Sequence, residues 1–212
     1  MVANGPHPAW PFWAWMVALA LVGLCLPGLA NQVTLGRAYL AAPVLGYALR
    51  PGALAPLAVT VALAGATDLV DGRFARVSGG VSSLGGGLDP VVDGIFYGAV
   101  AAGLALGGAY PEWLAGVVVA RYATPAVAGG VLIALGAHPR LRHTFFGQVS
   151  TTVIAVLLGG VALLRGLGVP DGGVVEAAEI LIPLATLATF LNLAVAARRS
   201  LHAARSEAAA RR

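Results

Sequence analysis

The chain has 212 residues, of which 58% are hydrophobic and 10% charged, whereas an ordinary soluble domain carries about 25% charged residues. That composition excludes a chain solvated mainly by water. The net charge of +4 comes from thirteen basic residues, all of them arginine and scattered along the sequence, so no basic face forms and nucleic acid is not expected as a partner. The single cysteine, Cys25, cannot build a disulfide framework or a cysteine-rich metal site.

Taken in chain order, residues 9–30 are apolar and uncharged. Trp10, Trp13 and Trp15 stand at one end, as in an interfacial aromatic belt. This segment is read as a hydrophobic helix that either spans a bilayer or lies on its surface. After a polar break at Asn31-Gln32, helices are predicted at 33–49, 53–76, 85–108, 112–136, 144–166 and 175–199, several of them near the roughly twenty residues that cross a bilayer. Gly/Pro punctuation separates them at Arg50-Pro51-Gly52, at Gly107-Gly108 with Pro111, and from Gly166 to Gly173. The predicted fold is therefore an all-α integral membrane protein with a six-transmembrane-helix core and an extra N-terminal hydrophobic helix. Its parts are residues 1–30, the helical domain 31–200, and a basic tail 201–212. Arg73, Arg76, the segment 138–143 and the Arg-rich C-terminus fall on one side of this layout, which the positive-inside rule makes cytoplasmic.

Four of the nine acidic residues, Asp68, Asp71, Asp89 and Asp93, fall within 26 residues at the ends of two predicted membrane helices. An acid near the bilayer costs a few kcal/mol unless compensated. Asp68 and Asp71 are three residues apart and Asp89 and Asp93 four apart, so each pair projects from one helical face. Joined by a short glycine-bearing loop, the faces can meet. Converging carboxylates repel one another, and hard divalent cations such as Mg²⁺, Mn²⁺ or Ca²⁺ remove that repulsion. Gly72 follows the second aspartate, and Gly85, Gly86 and Gly87 open the next helix, where a missing side chain lets phosphates approach the backbone. Arg76 can add a guanidinium to the same phosphates. The set reads as a pyrophosphate site, although Asp89 beside Pro90 could instead cap a helix and the glycines could be plain loop.

As a pattern, residues 68–93 are D-x₂-D-G-x₂-A-R-x₈-G-x₃-D-x₃-D with every fixed position filled. This resembles the signature of the CDP-alcohol phosphotransferase family of membrane enzymes, and the helix layout extends the resemblance over roughly 31–200. The resemblance implies that Asp68, Asp71 and Asp89 bind metal, that Asp93 lies at the metals and acts as the base, and that Gly72, Ala75, Arg76 and Gly85 surround the cytidine diphosphate. It further implies two Mg²⁺ or Mn²⁺ ions, a homodimer, and a site open to the cytoplasm and to lipid at the cytoplasmic membrane. The stretch from Asn31 to Arg37 is similar to the N-x-x-T-x-x-R opening of the phosphatidylglycerophosphate synthase and cardiolipin synthase branches, which adds Thr34 and Arg37 to the CDP-lipid contacts. Those enzymes usually follow the last aspartate with lysine, where this chain has Gly94.

The reaction implied is transfer of a phosphatidyl group from CDP-diacylglycerol to a polyol or polyol phosphate, preferably glycerol 3-phosphate, with release of CMP. Inositol phosphate and phosphatidylglycerol remain alternative acceptors. Arg121, a charge inside a predicted membrane helix, is the main acceptor candidate, or else a partner for an acidic residue. Arg140 and Arg142, with His143 beside them, are the second candidates, or else ordinary topology charge. Gln148, Ser150 and Thr151 could line the same cavity or join helices by hydrogen bonds. A membrane cation carrier is the rival from a different class, but a carrier distributes polar groups along a route through the membrane, and here the acids gather at one end.

Overall fold

A computed structural model describes residues 9–25, 29–77, 85–134 and 145–210. Among these residues there are seven α-helices and no strand: α1 (Ala9–Cys25), α2 (Leu29–Ala48), α3 (Leu54–Val77), α4 (Gly85–Leu106), α5 (Glu112–Ala134), α6 (Phe145–Gly166) and α7 (Gly172–Ala210). A 3₁₀ turn, Pro51–Ala53, joins α2 to α3, at the Pro/Gly break expected from the sequence. Residues 1–8, 26–28, 78–84, 135–144 and 211–212 lie outside the described residues.

Two boundaries differ from expectation. The polar pair Asn31-Gln32 does not break the chain but sits in the first turn of α2, which begins at Leu29. The reason is that the Gln32 amide donates a 2.9 Å hydrogen bond to the carbonyl of Gly23, serving an orphan acceptor near the end of α1. At the other end α7 runs on to Ala210 instead of stopping at 199. Its last dozen residues are rich in alanine and arginine, both strong helix formers.

Helices α2 to α7 pack as a closed ring in the order α2, α4, α5, α7, α6, α3 and back to α2. Contacts between α4 and α6 cross its middle, and α1 packs on α2. Trp15 ties α1 in place by donating from Nε1 to the carbonyl of Ala38 at 2.9 Å. The ring buries Phe96, Tyr97, Val100 and Leu104 of α4 against Leu57 and Val61 of α3, Leu114 and Val118 of α5, and Ile154, Leu158 and Val161 of α6.

Small residues set the helix separations. A Cβ on Gly103 would fall 2.5 Å from the Cβ of Ala48, and one on Gly107 would fall 2.5 Å from the carbonyl oxygen of Ala48, so α2 and α4 touch almost backbone to backbone. Gly108 and Gly168 adopt left-handed φ angles of 70° and 69°. Each ends its helix in the same way: Ala109 donates to Leu104 and Val169 donates to Leu164, both at 2.8 Å, the six-to-one bond of a glycine C-terminal cap.

Among the described residues, two segments are long and apolar enough to cross a membrane, Val149–Gly166 in α6 and Gly172–Val195 in α7. Shorter apolar stretches among the described residues are Trp13–Cys25, Leu54–Ala66 and Val91–Leu106.

Candidate active site

Helix directions bring the sequence-predicted residues to one end of the ring. The first halves of α2, α4 and α6 and the last turns of α3 share that end. Asp68, Asp71, Gly72, Ala75 and Arg76 lie on the last turns of α3, and Gly85 and Asp89 on the first two turns of α4. Their side chains lie outside the described residues, as do the whole of Arg140, Arg142 and His143 and the side chain of Gln148. Helix α4 starts at Gly85, so Asp89 stands past the first turn and does not cap the helix. Gly85 to Gly87 are helical, not loop.

Asp93 is the one signature aspartate whose surroundings are described. It faces the interior at 9% exposure, on the side of α4 that packs against α2. There Arg37, only 2% exposed, donates from Nη1 to Asp93 Oδ1 at 2.5 Å across 56 residues of sequence. Thr34, one turn before Arg37, is buried on the same face. Burying a lone arginine or a lone aspartate would be costly, and each charge makes the other tolerable. The sequence reading gave these two residues to different tasks, one to the CDP-lipid and one to the base. The structure joins them.

Arg121 is the second buried cation, at 4% exposure. Its Nη2 donates to the carbonyl of Gly147 at 3.2 Å and to Thr151 Oγ1 at 3.3 Å, which ties α5 to the first turns of α6. No ion pair between Arg121 and a described carboxylate is present, so the alternative reading of Arg121 as a salt-bridge partner finds no support among the described residues. Its guanidinium instead lies over the Tyr122 ring, 4.6 Å from the centroid, a favourable cation–π arrangement.

Tyr122 was not singled out by the sequence. Its ring is stacked with that of Tyr97, centroids 6.2 Å apart and planes 17° apart, and Tyr97 in turn meets Phe96 edge-on. Gly94 makes room for it, because a Cβ on Gly94 would fall 2.8 Å from the Cβ of Tyr122. Gly94, the departure from the lysine usual in the resembling branches, is thus where α4 lies directly against α5 beside Asp93. A tyrosine in the middle of a membrane-type helix, next to an arginine and away from any interfacial belt, was the available signal.

The donor chemistry fits a hard divalent cation: four carboxylates on two helix ends, with buried Asp93 held in place by its neighbour on α2. Among described residues no group of three or more His, Cys, Asp or Glu side chains comes together, since three of the four aspartates fall outside that set. The opposite end of the ring has a different character. A cavity of about 480 Å³ opens there, lined by Ala48, Leu54, Gly107, Ala109, Arg165, Gly168, Val169 and Pro170. Arg165 in its wall is already neutralised by Asp171. At the same end Tyr110 is buried, and burial first, with the Glu179 carboxylate adding to it, pushes its phenol above the ordinary value, so it stays neutral.

A family model described as CDP-alcohol phosphatidyltransferase matches residues 28–196, the region of α2 to α7 that forms the ring. A protein of Drosophila melanogaster named probable cardiolipin synthase (CMP-forming) is 37% identical over 92 residues, covering 43% of this chain and 28% of that protein. A cardiolipin synthase (CMP-forming) of Streptomyces coelicolor is 36% identical over 93 residues, 44% of this chain and 43% of the relative. Less than half of each relative's length is therefore matched. The family is membrane-associated, in keeping with the two apolar spans. Since the family match takes in most of the chain and all of the signature, this protein belongs to the CDP-alcohol phosphatidyltransferase family.

Proposed function

We propose that this protein transfers the phosphatidyl group of CDP-diacylglycerol to a hydroxyl of a polyol phosphate, glycerol 3-phosphate by preference, and releases CMP. The observation that carries this reading is Asp93, buried, paired with Arg37, and one residue from the Gly94–Tyr122 contact that leads to Arg121. A carboxylate and a separate buried guanidinium are what a hydroxyl nucleophile bearing a phosphate requires. Asp93 takes the proton of the acceptor hydroxyl as its oxygen bonds to the phosphorus attached to the lipid, and the bond from that phosphorus to CMP breaks, leaving the negative charge on CMP. Arg37 holds the Asp93 carboxylate in position. Arg121 receives the acceptor's phosphate, with Arg140 and Arg142 as further contacts. Thr34, Gly72, Ala75, Arg76 and Gly85 line the CDP part of the donor, and Arg37 extends that wall.

Asp68, Asp71, Asp89 and Asp93 would hold two Mg²⁺ or Mn²⁺ ions. When bound, such ions offset the charge of the pyrophosphate and of the departing CMP. The reading includes six membrane-spanning helices, α2 to α7, in the cytoplasmic membrane, a site on the cytoplasmic side, and a homodimer. A second reading takes phosphatidylglycerol as acceptor, and the names of the two relatives favour it.

The test is CMP release from CDP-diacylglycerol by the purified full-length protein, with glycerol 3-phosphate, phosphatidylglycerol and inositol phosphate offered separately, with and without chelator. Release that depends on glycerol 3-phosphate and stops in chelator is expected. Release that persists in excess chelator would overturn the metal assignment. Asp93→Asn should lower turnover by about 10²–10⁴, the usual loss for a positioned base, while donor binding persists. Turnover close to that of the parent would remove Asp93 from the base role.

A further inference from the structure

Arg121 Nε and Ser150 Oγ, on adjoining turns of α5 and α6, are buried and have no hydrogen-bond partner among the described residues, and beside them the buried Tyr122 Oη lies against Thr151 and Arg121 without a well-aligned hydrogen bond. Buried polar atoms are nearly always satisfied, and an orphan calls for a cause. Here the orphans are neighbours. Arg121 and Tyr122 are consecutive, and Ser150 precedes Thr151, which accepts a hydrogen bond from Arg121 Nη2 at 3.3 Å. Arg121 and Ser150 are 4% and 3% exposed, so bulk water does not serve them.

Nor is the group loosely held. The Tyr122 ring is stacked on Tyr97, lies under the Arg121 guanidinium, and abuts α4 at Gly94, the residue after Asp93. Its hydroxyl is therefore carried on a fixed ring, and one guanidinium and two hydroxyls lie on adjoining turns of α5 and α6 near the α4 contact beside Asp93. That combination has donors for an anion and donor-acceptors for alcohols, and each protein hydroxyl can give a bond to one ligand oxygen and take one from another.

We infer that Tyr122 and Ser150 complete the acceptor subsite around Arg121, and that Tyr122 is a specificity-determining residue for a phosphate-bearing glycerol unit. This rests on the reading of Arg121 as the acceptor's phosphate contact. Arg121 Nε donates to the phosphate, and the Tyr122 and Ser150 hydroxyls bond the glycerol oxygen that does not attack. Free glycerol 3-phosphate and the headgroup of phosphatidylglycerol share this chemistry.

The experiment measures kcat and KM on the purified full-length protein for CDP-diacylglycerol and for each of the two acceptors, the lipid one presented in mixed micelles, together with the thermal midpoint. Tyr122→Phe keeps the ring and its stacking. It should raise KM for the acceptor by about tenfold, the effect of one lost hydrogen bond to a polar ligand, and leave KM for the donor and the midpoint little changed. Ser150→Ala should raise acceptor KM in the same way while holding or raising the midpoint, because it deletes a buried hydroxyl that has no partner without ligand. A purely structural role predicts the reverse, a lower midpoint with no selective change in acceptor KM, and that result would overturn the inference. Unchanged acceptor KM in both variants overturns it as well. If the parent uses only one of the two acceptors, the KM effect appears with that one and identifies the source of the glycerol unit. A parent active with glycerol acceptors but indifferent to both substitutions leaves the proposed function standing and removes this subsite. A parent that turns over neither acceptor overturns both.

Discussion

Two arginine–aspartate pairs in this protein have the same 2.5 Å separation and opposite circumstances. Arg37 and Asp93 join α2 to α4 across 56 residues and are shut away from solvent. Arg165 and Asp171 are six residues apart, fasten the end of α6 to the start of α7, and leave the arginine side chain 36% exposed. Arg165 also donates from Nη1 to the carbonyl of Gly108, so the local pair pins one turn to another. The distance alone does not rank these contacts. Burial does, because the cost of stranding a charge depends on what replaces its partner: water at the α6–α7 turn, apolar helix faces at the α2–α4 contact.

The largest effect should come from breaking the buried pair on one side. Arg37→Met takes away the buried cation that pairs with Asp93, and should destabilise the protein by about 3–5 kcal/mol, read as the shift in its denaturation midpoint in detergent. Adding Asp93→Asn to Arg37→Met should restore most of that loss, since no buried charge is then left over. A double variant as unstable as the single would mean that packing, not charge, is lost with Arg37.

A smaller effect is expected where α4 meets α5. Gly94→Ala would put a methyl group 2.8 Å from the Tyr122 Cβ and should cost about 1–3 kcal/mol as an overpacked contact. One turn along the same helix, a Cβ on Gly98 would meet Val119 at 3.8 Å, an ordinary contact. Gly98→Ala is therefore the control, neutral or stabilising because alanine favours helix. Equal costs at both positions would show that the α4–α5 separation does not depend on Gly94.

The smallest effect belongs to the exposed pair. Arg165→Ala should change stability by less than about 1 kcal/mol, with a difference from the parent that shrinks as salt is added. A loss as large as that of Arg37→Met would overturn the ranking by burial.

Much of the helix layout was legible in advance, because glycine and proline mark chain breaks through local backbone geometry. The turns at Arg50-Pro51-Gly52 and Gly107-Gly108 stand where the sequence put them. The Asn31-Gln32 break was misplaced because a polar side chain in a helix can serve a neighbouring helix's carbonyl, as Gln32 does for Gly23, and no local rule sees that partner. In the site, the spacing of Asp68, Asp71, Asp89 and Asp93 was readable because it repeats with the helical period. The packing of Tyr122 was not readable, since its place depends on Gly94 and Tyr97 from another helix.

The sequence by itself determined the apolar character of the chain, its helical class, the family signature and the buried-charge candidates, because these follow from composition and from residues within a few turns of one another. Only the tertiary structure decided that the helices close into a ring in the order α2, α4, α5, α7, α6, α3, that Arg37 pairs with Asp93, and that Arg121 turns to Tyr122 and Thr151. Those choices depend on which helices approach closely, and the close approaches are set by small residues such as Gly94, Gly103 and Gly107 meeting a partner helix far away in the chain.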